Sequence, residues 1–234
     1  MIFTIEGNIG VGKTTLLKRL EADELLPIPL THQHMVVYEP VDDWMNVKDA
    51  NSGESLFELY YRDKQKYGFV FQMMALQTRF DNIMNMANEH KDTILICERS
   101  FITDFEIFAK MMYDNGYITD IEMTVYKKWH DFIMKLFMPK INGHIYIHAS
   151  PEKCFERVQK RGRKGEDVIT LNYLKSVDER HEEWLCPSTC TGEAEAEAAA
   201  AASKPRVPVF KVDAFAEGSP NLTEIITFIN KSIE

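Results

Sequence analysis

The stretch MIFTIEGNIGVGKTT, residues 1–15, joins a strand, a glycine-rich turn and the start of a helix in one unbroken run. Ile2, Phe3 and Ile5 alternate along its first part, which is typical of a strand. Residues 7–14 then fit the phosphate-loop pattern G-x-x-x-x-G-K-[ST] without a mismatch. The sequence therefore predicts a nucleotide-binding loop between its first strand and its first helix.

Each part of this loop has a chemical task. Gly7 and Gly12 let the backbone turn, so that its N–H groups surround phosphate oxygens beside the positive end of the following helix. We expect Lys13 to reach the outer phosphates and the Thr14 hydroxyl to bind Mg²⁺. The residues predicted to contact ATP or another triphosphate here are Gly7, Asn8, Ile9, Gly10, Val11, Gly12, Lys13, Thr14 and Thr15.

Composition limits the remaining possibilities. A chain of 234 residues with 45% hydrophobic content can bury the core of one globular domain, and we expect a single domain over residues 1–234. The net charge of -9 argues against a nucleic-acid polymer or an anionic membrane as the main partner. The four cysteines lack a C-x-x-C spacing, and neither a signal peptide nor a membrane-spanning run is evident. A reduced, cytoplasmic protein is expected.

Apolar, strand-like runs recur at residues 2–6, 36–39, 93–98, 144–149 and 207–213. Helical periodicity fills most of the intervals, with clear helices predicted over residues 69–90 and 120–137. This alternation predicts an α/β fold in which helices flank a parallel sheet. The methionines of the first helix are expected to pack in the core.

Residues 186–208 are different, because they are rich in Ala, Glu, Ser and Pro and lack large apolar side chains. A short Ala/Glu helix is possible on propensity alone. Nothing in the segment could bury a face, however, so we expect a flexible surface insertion without a catalytic role.

Two carboxylates are expected at the carboxyl ends of strands, where ligands bind in parallel α/β sheets. Glu39 ends VVYE, and Glu98 ends TILICE directly before Arg99. Either carboxylate alone could be a helix cap or a solvated terminus. Beside a phosphate loop, one carboxylate is expected to organise Mg²⁺ and the other to accept a proton from an attacking hydroxyl.

A basic cluster lies in ERVQKRGRKGED. Arg157 and Arg161 are four residues apart on one helical face, and Arg163 follows just beyond Gly162. The pattern fits a solvated helix face or an arginine-rich lid over the transferred phosphoryl group.

A ligand-reading surface can be derived from helical spacing. Gln72, Ala75 and Arg79 are three and four residues apart and therefore share one side of a helix. Asp104 and Phe108 share a face of the next helix by the same arithmetic.

These motifs resemble the deoxynucleoside kinase family, and its deoxycytidine and deoxyguanosine kinases more than its thymidine-preferring members. The matching segments are EGNIGVGKTT, EPVDDW, LYYRD, FQMMALQTR, ERSFITDFEIF, YKKWHDF, RVQKRGRKGED and NYLKSV, in the family's order. The resemblance covers nearly the whole chain apart from the Ala/Glu segment. It implies a P-loop kinase fold with an Arg-rich lid and a five-stranded sheet. It also implies a homodimer through helices including residues 120–137, and transfer of the γ-phosphoryl group of ATP to a deoxynucleoside 5′-hydroxyl.

The resemblance also implies roles for individual residues. Glu39 is similar to the general base, Arg99 to the residue that holds the hydroxyl and the incoming phosphoryl group, and Glu98 to the carboxylate that helps Thr14 organise Mg²⁺. Tyr61 and Glu166 match the positions that bind the sugar 3′-hydroxyl, and Arg157, Arg161 and Arg163 match the lid arginines. Around the base, the matching residues are Ile9, Trp44, Phe71, Gln72, Arg79, Asp104 and Phe108, with Arg79 paired to Asp104.

The sequence departs from the family pattern at three positions. Phe57 and Tyr60 stand where smaller or unbranched apolar residues are common, which predicts a narrower pocket near the sugar and base. Gly165 replaces an acidic residue found beside Glu166 in some relatives.

Two other functions compete with a deoxynucleoside kinase. A nucleoside monophosphate kinase such as thymidylate kinase shares the loop and an acid–Arg pair, but it needs cationic groups where Glu39 is expected. A non-catalytic nucleotide-binding scaffold of the same fold is the other alternative. The intact set of Lys13, Thr14, Glu39, Glu98 and Arg99 argues against lost catalysis.

Overall fold

The computed structural model describes residues 1–22, 30–137, 140–186, 207–214 and 221–233. The strands are β1 (Ile2–Glu6), β2 (His34–Val37), β3 (Ile94–Glu98), β4 (Ile141–His148) and β5 (Val209–Asp213). They form one sheet in the order β2-β3-β1-β4-β5, and every neighbouring pair is parallel. This confirms the predicted α/β class and its five-stranded parallel sheet.

The helices fill the intervals between the strands. They are α1 (Lys13–Glu21), α2 (Val41–Asn46), α3 (Leu56–Arg62), α4 (Lys64–Glu89), α5 (Phe101–Thr103), α6 (Lys110–Asp114), α7 (Asp120–Phe137), α8 (Pro151–Arg161), α9 (Leu171–Leu185) and α10 (Leu222–Lys231). A π-helix, Asp104–Ala109, separates α5 from α6, and a 3₁₀ turn, Glu166–Val168, precedes α9.

Both faces of the sheet are buried, as the apolar strands require. Alternate residues of β3 show the division: Ile94 and Ile96 pack with α1, α8 and α10, whereas Leu95 and Cys97 pack with α3, α4 and α7. The carboxyl ends of the strands remain free for the loops that build the site.

Two predicted boundaries are wrong for identifiable reasons. Strand β2 covers His34–Val37 rather than residues 36–39, because its ladder with β3 ends where Val37 pairs with Cys97. Glu39 therefore lies in the loop beyond the strand. Helix α4 begins at Lys64 rather than at residue 69, because Asp63 caps it by accepting a bond from the Lys66 N–H. The first turn of α4 is polar, so the apolar repeat that predicts the helix does not extend to it.

The remaining predicted elements lie close to the observed ones. Strand β1 and helix α7 have the predicted bounds, while β3, β4 and β5 differ from prediction by one to three residues at an end. The predicted insertion falls largely on residues 187–206, which lie outside the described part of the chain.

Helix α7 is apolar on two sides. Ile133 and Phe137 are buried in the core, but Ile121 is 78% exposed, Trp129 54% and Phe132 51%. The apolar repeat that predicted this helix therefore mixes a core-facing side with an exposed one. An exposed set of large apolar side chains is typical of a surface that contacts another protein.

A buried glutamate connects β1 to the helices that follow β3. Glu6 is fully buried and accepts hydrogen bonds from the Thr4 hydroxyl at 2.8 Å and the Thr103 hydroxyl at 2.5 Å. Because Thr103 directly precedes Asp104, this contact fixes the start of the π-helix relative to the phosphate loop.

None of the helices in the described ranges has both the length and the apolar character needed to cross a membrane.

Candidate active site

The phosphate loop leaves the carboxyl end of β1 and adopts a backbone that requires glycine. Gly7, Gly10 and Gly12 have φ angles of 140°, 82° and 113°. A Cβ on Gly7 would lie 2.3 Å from the Ile147 carbonyl oxygen, and one on Gly10 would lie 2.6 Å from the Cys154 carbonyl oxygen. Gly10 therefore joins Gly7 and Gly12, the two glycines predicted to form the turn, as a position that cannot carry a side chain.

Lys13 is buried at the base of this loop. Its ammonium group donates to the carbonyl oxygens of Asn8 at 2.9 Å and Gly7 at 3.3 Å. Burial, reinforced by the positive charge of Arg99, lowers the pKa of Lys13 to about 7. The charge of Lys13 therefore depends on pH in the neutral range.

Thr14 and Glu98 form a pair of hard oxygen donors. The Thr14 hydroxyl lies 2.8 and 3.1 Å from the two carboxylate oxygens of Glu98. Within the described part of the chain, no group of three or more His, Cys, Asp or Glu side chains could hold a metal ion alone. Mg²⁺ usually binds one or two carboxylates plus substrate phosphates, so this pair fits a magnesium site completed by a nucleotide.

Arg79 binds the acidic side chains on one side of the site. Its guanidinium donates to Asp104 from two nitrogens, at 2.9 and 3.1 Å, to Glu39 at 3.1 Å and to the Glu98 carbonyl oxygen at 2.9 Å. Burial disfavours its charge, but Asp104 and Glu39 outweigh burial and raise the pKa of Arg79 above its usual value. The pairing of Arg79 with Asp104 implied by the resemblance is present.

Glu39 is surrounded by cations. Burial disfavours its ionised form, yet Arg99, Arg79 and Lys13 outweigh burial and hold the pKa of Glu39 at about 2. Its carboxylate lies 3.3 Å from Arg99 Nε. Glu39 is therefore an ionised carboxylate that can accept a hydrogen bond.

Arg99 is held in an unusual backbone conformation. Among the described residues other than glycine, Arg99 is the one with a positive φ, at 63°. The guanidinium lies 5.0 Å above the Phe108 ring, and its Nη1 is buried without a hydrogen-bond partner. Such strain and an unpaired buried donor are typical of ligand-binding positions.

These groups line one cavity of about 780 Å³. Its walls include all the predicted site residues except two: Ile9, Gly10, Val11, Gly12, Lys13, Thr14, Thr15, Glu39, Trp44, Tyr61, Phe71, Gln72, Arg79, Glu98, Arg99, Asp104, Phe108, Arg157, Arg161, Arg163 and Glu166. The exceptions are Gly7 and Asn8. Their carbonyl oxygens accept hydrogen bonds from Lys13.

The basic cluster contacts the other groups of the site. Arg157 donates to the Val11 carbonyl oxygen at 2.7 Å. Glu166, only 3% exposed, accepts from Arg161 at 2.6 Å and from Arg163 at 3.3 Å. The carboxylate expected to bind a sugar hydroxyl is thus paired with two arginines.

Sequence reasoning missed two features of this cavity. Asp104 and Phe108 were placed on an α-helix, but they lie on a π-helix, whose wider turn follows an i to i+5 bond pattern. Both still line the cavity. Tyr173 also lines it, with a buried hydroxyl that lacks a hydrogen-bond partner. Tyr173 belongs to the NYLKSV segment, but its position beside the site follows only from the fold.

Comparisons with known proteins agree with this geometry. The family model described as "Deoxynucleoside kinase" matches residues 3–234. A mitochondrial deoxyguanosine kinase of Xenopus laevis is 32% identical over 201 residues, covering 80% of this chain and 73% of the relative. Deoxycytidine kinase 2 of Gallus gallus is 33% identical over 205 residues, covering 80% of this chain and 74% of the relative. A probable deoxycytidine kinase of Fowlpox virus is 32% identical over 182 residues, with 78% and 70% covered.

The chain belongs to the deoxynucleoside kinase family. The parallel sheet and the phosphate loop are common to the alternatives, but the family match over residues 3–234 and the similarity to deoxyguanosine and deoxycytidine kinases favour this assignment over a thymidylate-type kinase or a non-catalytic scaffold.

The state of Lys13 gives a testable prediction. Phosphate oxyanions should raise the pKa of Lys13 from about 7, so ATP binding at pH 8 should take up close to one proton, and less at pH 6. The uptake is measured by titration calorimetry of Mg-ATP binding in buffers of different ionisation enthalpy. Lys13→Met is the control and should abolish the uptake; buffer-independent heats for the unmodified protein at pH 8 would contradict the assignment.

Proposed function

We propose that this protein transfers the γ-phosphoryl group of ATP, or another nucleoside triphosphate, to the 5′-hydroxyl of a deoxynucleoside in nucleotide salvage. The observation that carries the proposal is the placement of Glu39. The Glu39 carboxylate lies in one cavity with the phosphate loop, the Thr14–Glu98 pair and Arg99. The Glu39 carboxylate would repel an acceptor phosphate, whereas a hydroxyl acceptor needs a base at that point.

In this mechanism Glu39 accepts the proton of the 5′-hydroxyl, and Arg99 binds both that hydroxyl and the phosphoryl group. With the charges of Arg99, Arg79 and Lys13 acting on it, Glu39 has a low pKa and is a weak base. The triphosphate supplies anionic oxygens to Lys13 and Arg99, and their charges then act less on Glu39. The proton affinity of Glu39 rises when the donor is bound, which links donor binding to base strength.

Mg²⁺ is the metal we propose, held by Thr14 and Glu98 together with donor phosphates. When bound, it neutralises negative charge on the phosphates. The chain itself contributes the loop N–H groups and Lys13.

The arginines of α8 and the loop after it are proposed to form the lid. Arg161 and Arg163 are bound to Glu166, and Lys164 contacts Glu58 at 2.6 Å. A triphosphate would compete for these arginines because their planar donors suit phosphate oxygens. Release of Glu166 would then free its carboxylate to bind the sugar 3′-hydroxyl with Tyr61.

Base selection is proposed to depend on Gln72 and on the pairing of Arg79 with Asp104. Gln72 Oε1 is buried without a hydrogen-bond partner, and Asp104 presents acceptor oxygens to the same cavity. Acceptors suit a base that carries an exocyclic amino group, and they oppose the O4 acceptor of thymine. Deoxycytidine and purine deoxynucleosides are therefore the proposed acceptors.

A homodimer and a cytoplasmic location complete the proposal. The exposed apolar side of α7, with Ile121, Trp129 and Phe132, offers a surface for a second copy. The unpaired, buried thiols of Cys97 and Cys154 are compatible with a reducing compartment. No nucleic-acid polymer is proposed as a partner, because the net charge is -9.

Glu39→Gln should keep nucleoside binding and lower kcat by roughly a hundredfold or more, because the amide preserves shape but cannot accept the proton. Initial rates at saturating ATP and deoxycytidine measure the effect, and calorimetric titration with deoxycytidine controls for binding. Unchanged turnover in this variant would remove Glu39 from the role of base.

Arg79→Met combined with Asp104→Ala should raise kcat/KM for thymidine relative to deoxycytidine by about tenfold or more. A mismatched buried acceptor typically costs about 1–3 kcal/mol, which is the discrimination that the double change removes. The ratio is the quantity to compare, because Arg79 also contacts Glu39 and absolute turnover can change. The single changes are the controls; an unmoved ratio in the double variant would refute this account of base selection.

Trp129→Glu should convert the proposed homodimer to a monomer, because it places a charge in the centre of the exposed apolar side of α7. Light scattering after size-exclusion chromatography measures the mass, and Lys128→Glu on the exposed surface of the same helix is the control. A monomeric unmodified protein would exclude the dimer.

A further inference from the structure

A chain of hydrogen bonds connects the buried Glu6 carboxylate to the backbone beside Arg99. The Thr103 hydroxyl donates its single proton to Glu6 at 2.5 Å, so the Thr103 oxygen accepts its other hydrogen bonds. These come from Ser100, whose backbone N–H and hydroxyl lie 3.3 and 3.1 Å from that oxygen. The Thr103 N–H donates back to the Ser100 hydroxyl at 3.2 Å, which completes a capping box. Glu6 is therefore joined to Ser100 through Thr103.

The second oxygen of the Glu6 carboxylate is bound within the sheet. It accepts from the Thr4 hydroxyl at 2.8 Å, and the Thr4 oxygen lies 2.7 Å from His144 Nδ1. Because Thr4 gives its proton to Glu6, the proton of the second contact belongs to His144. Glu6 is fully buried, and it is not one of the described residues that line the cavity. Glu6 can therefore act on the site only through the residues that it binds.

The peptide groups on both sides of Arg99 are held by these contacts. The Arg99 N–H donates to the Ile5 carbonyl oxygen at 3.0 Å. On the other side, the Ser100 N–H donates to Thr103, which Glu6 holds in turn. Each peptide group is planar, so fixing the two planes that flank a residue fixes its φ and ψ. The backbone conformation of Arg99 is thus set by two consecutive residues of β1.

Arg99 needs such support because its backbone is strained. Its φ of 63° lies in the left-handed region, which disfavours residues that carry a Cβ. A conformation of this kind persists only where the surrounding structure imposes it. It also decides the direction in which the side chain leaves the backbone. The Arg99 guanidinium reaches the cavity, with Nε 3.3 Å from the Glu39 carboxylate.

From these contacts we infer that Glu6 and Thr103 are positioning residues for phosphoryl transfer, which hold Arg99 in the strained conformation that directs its guanidinium at the reacting groups. The inference rests on the proposed function, in which Arg99 binds the 5′-hydroxyl and the phosphoryl group. Without the Thr103 hydroxyl, the peptide after Arg99 loses its link to β1 and the backbone can relax. A displacement of about 1 Å in a group that binds the transition state can lower the rate by about a hundredfold.

The test removes each of the two hydroxyls that donate to Glu6. Thr103→Val keeps the volume of the side chain and breaks the link to Ser100, so kcat with ATP and deoxycytidine should fall by about tenfold to a hundredfold. KM for deoxycytidine should stay within about threefold, because the lost interaction belongs to the transition state. Thr103→Ser keeps the hydroxyl and should keep kcat.

Thr4→Val is the matched control. It also removes one buried hydrogen bond from the Glu6 carboxylate, so a thermal melt should show a loss of stability similar to that of Thr103→Val. The link from Glu6 to Arg99 remains, and kcat should stay within about threefold of the unmodified enzyme. An equal loss of kcat in the two variants would overturn the inference, because it would follow from weakened burial of Glu6 alone.

A double-mutant cycle tests whether the effect passes through Arg99. In an Arg99→Lys enzyme the guanidinium to be positioned is absent, so Thr103→Val should then change kcat by no more than about twofold. An undiminished loss of kcat in that background would overturn the inference. So would a rise in KM for deoxycytidine with kcat unchanged, because Thr103 would then act through the neighbouring Asp104.

Crystal structures of the two variants give a readout that does not depend on activity. Thr103→Val should change φ of Arg99 or displace its guanidinium, whereas Thr4→Val should keep φ near 63°. An unmoved Arg99 in Thr103→Val would refute the positioning role.

Two other results have a defined reading. If Thr103→Val does not fold, Ser100→Ala takes its place with the same expected direction, because it breaks the capping box from the other end. An unmodified enzyme that phosphorylates none of the deoxynucleosides contradicts the proposed function itself, and the crystal structures then decide whether Thr103 holds Arg99.

Discussion

The buried guanidinium of Arg79 is the interaction on which the site depends. One side chain of α4 binds Asp104 on the π-helix, Glu39 in the loop after β2 and the Glu98 carbonyl at the end of β3. A buried charge is tolerated only when it is paired, and removing one partner leaves the others uncompensated. The arrangement fixes two carboxylates that would otherwise repel each other, and it joins the base-reading surface to the proposed catalytic base.

A second set of charges surrounds the phosphate loop. Lys13 is held by the loop's own carbonyl oxygens, and Thr14 is held by Glu98. Both contacts occupy positions that phosphate or metal would use. When a triphosphate donor binds, its phosphates replace these internal contacts. The negative charge of the donor also changes the proton affinity of Lys13 and of Glu39.

The parts of the site that were predictable from the sequence are those that a local pattern defines. Gly7, Lys13 and Thr14 follow from one motif, and alternation of apolar residues gave the strands and their parallel arrangement. Gln72 and Arg79 follow from helical spacing. The contact of Asp104 with Arg79 was implied only by the family resemblance, because it joins residues from different elements.

The features that were not predictable depend on contacts between distant segments or on local deviations from regular geometry. The π-helix at Asp104 breaks the helical arithmetic, and the pairing of Glu166 with Arg161 requires the turn after α8. Tyr60 was notable in sequence only as a departure from its family. In the structure Tyr60 stacks on Phe71 with ring centroids 4.2 Å apart, and sequence periodicity does not encode this contact.

The central claim is that the acceptor is a nucleoside hydroxyl and not a nucleotide phosphate. The most direct test is to incubate the protein with Mg-ATP and one acceptor per reaction. The acceptors are the four deoxynucleosides and, in parallel, their four 5′-monophosphates, and the products are identified by mass. The account predicts 5′-monophosphates from deoxynucleosides, with deoxycytidine a good acceptor, and no diphosphates. Diphosphate formation from the monophosphates, with the deoxynucleosides left unchanged, would contradict it.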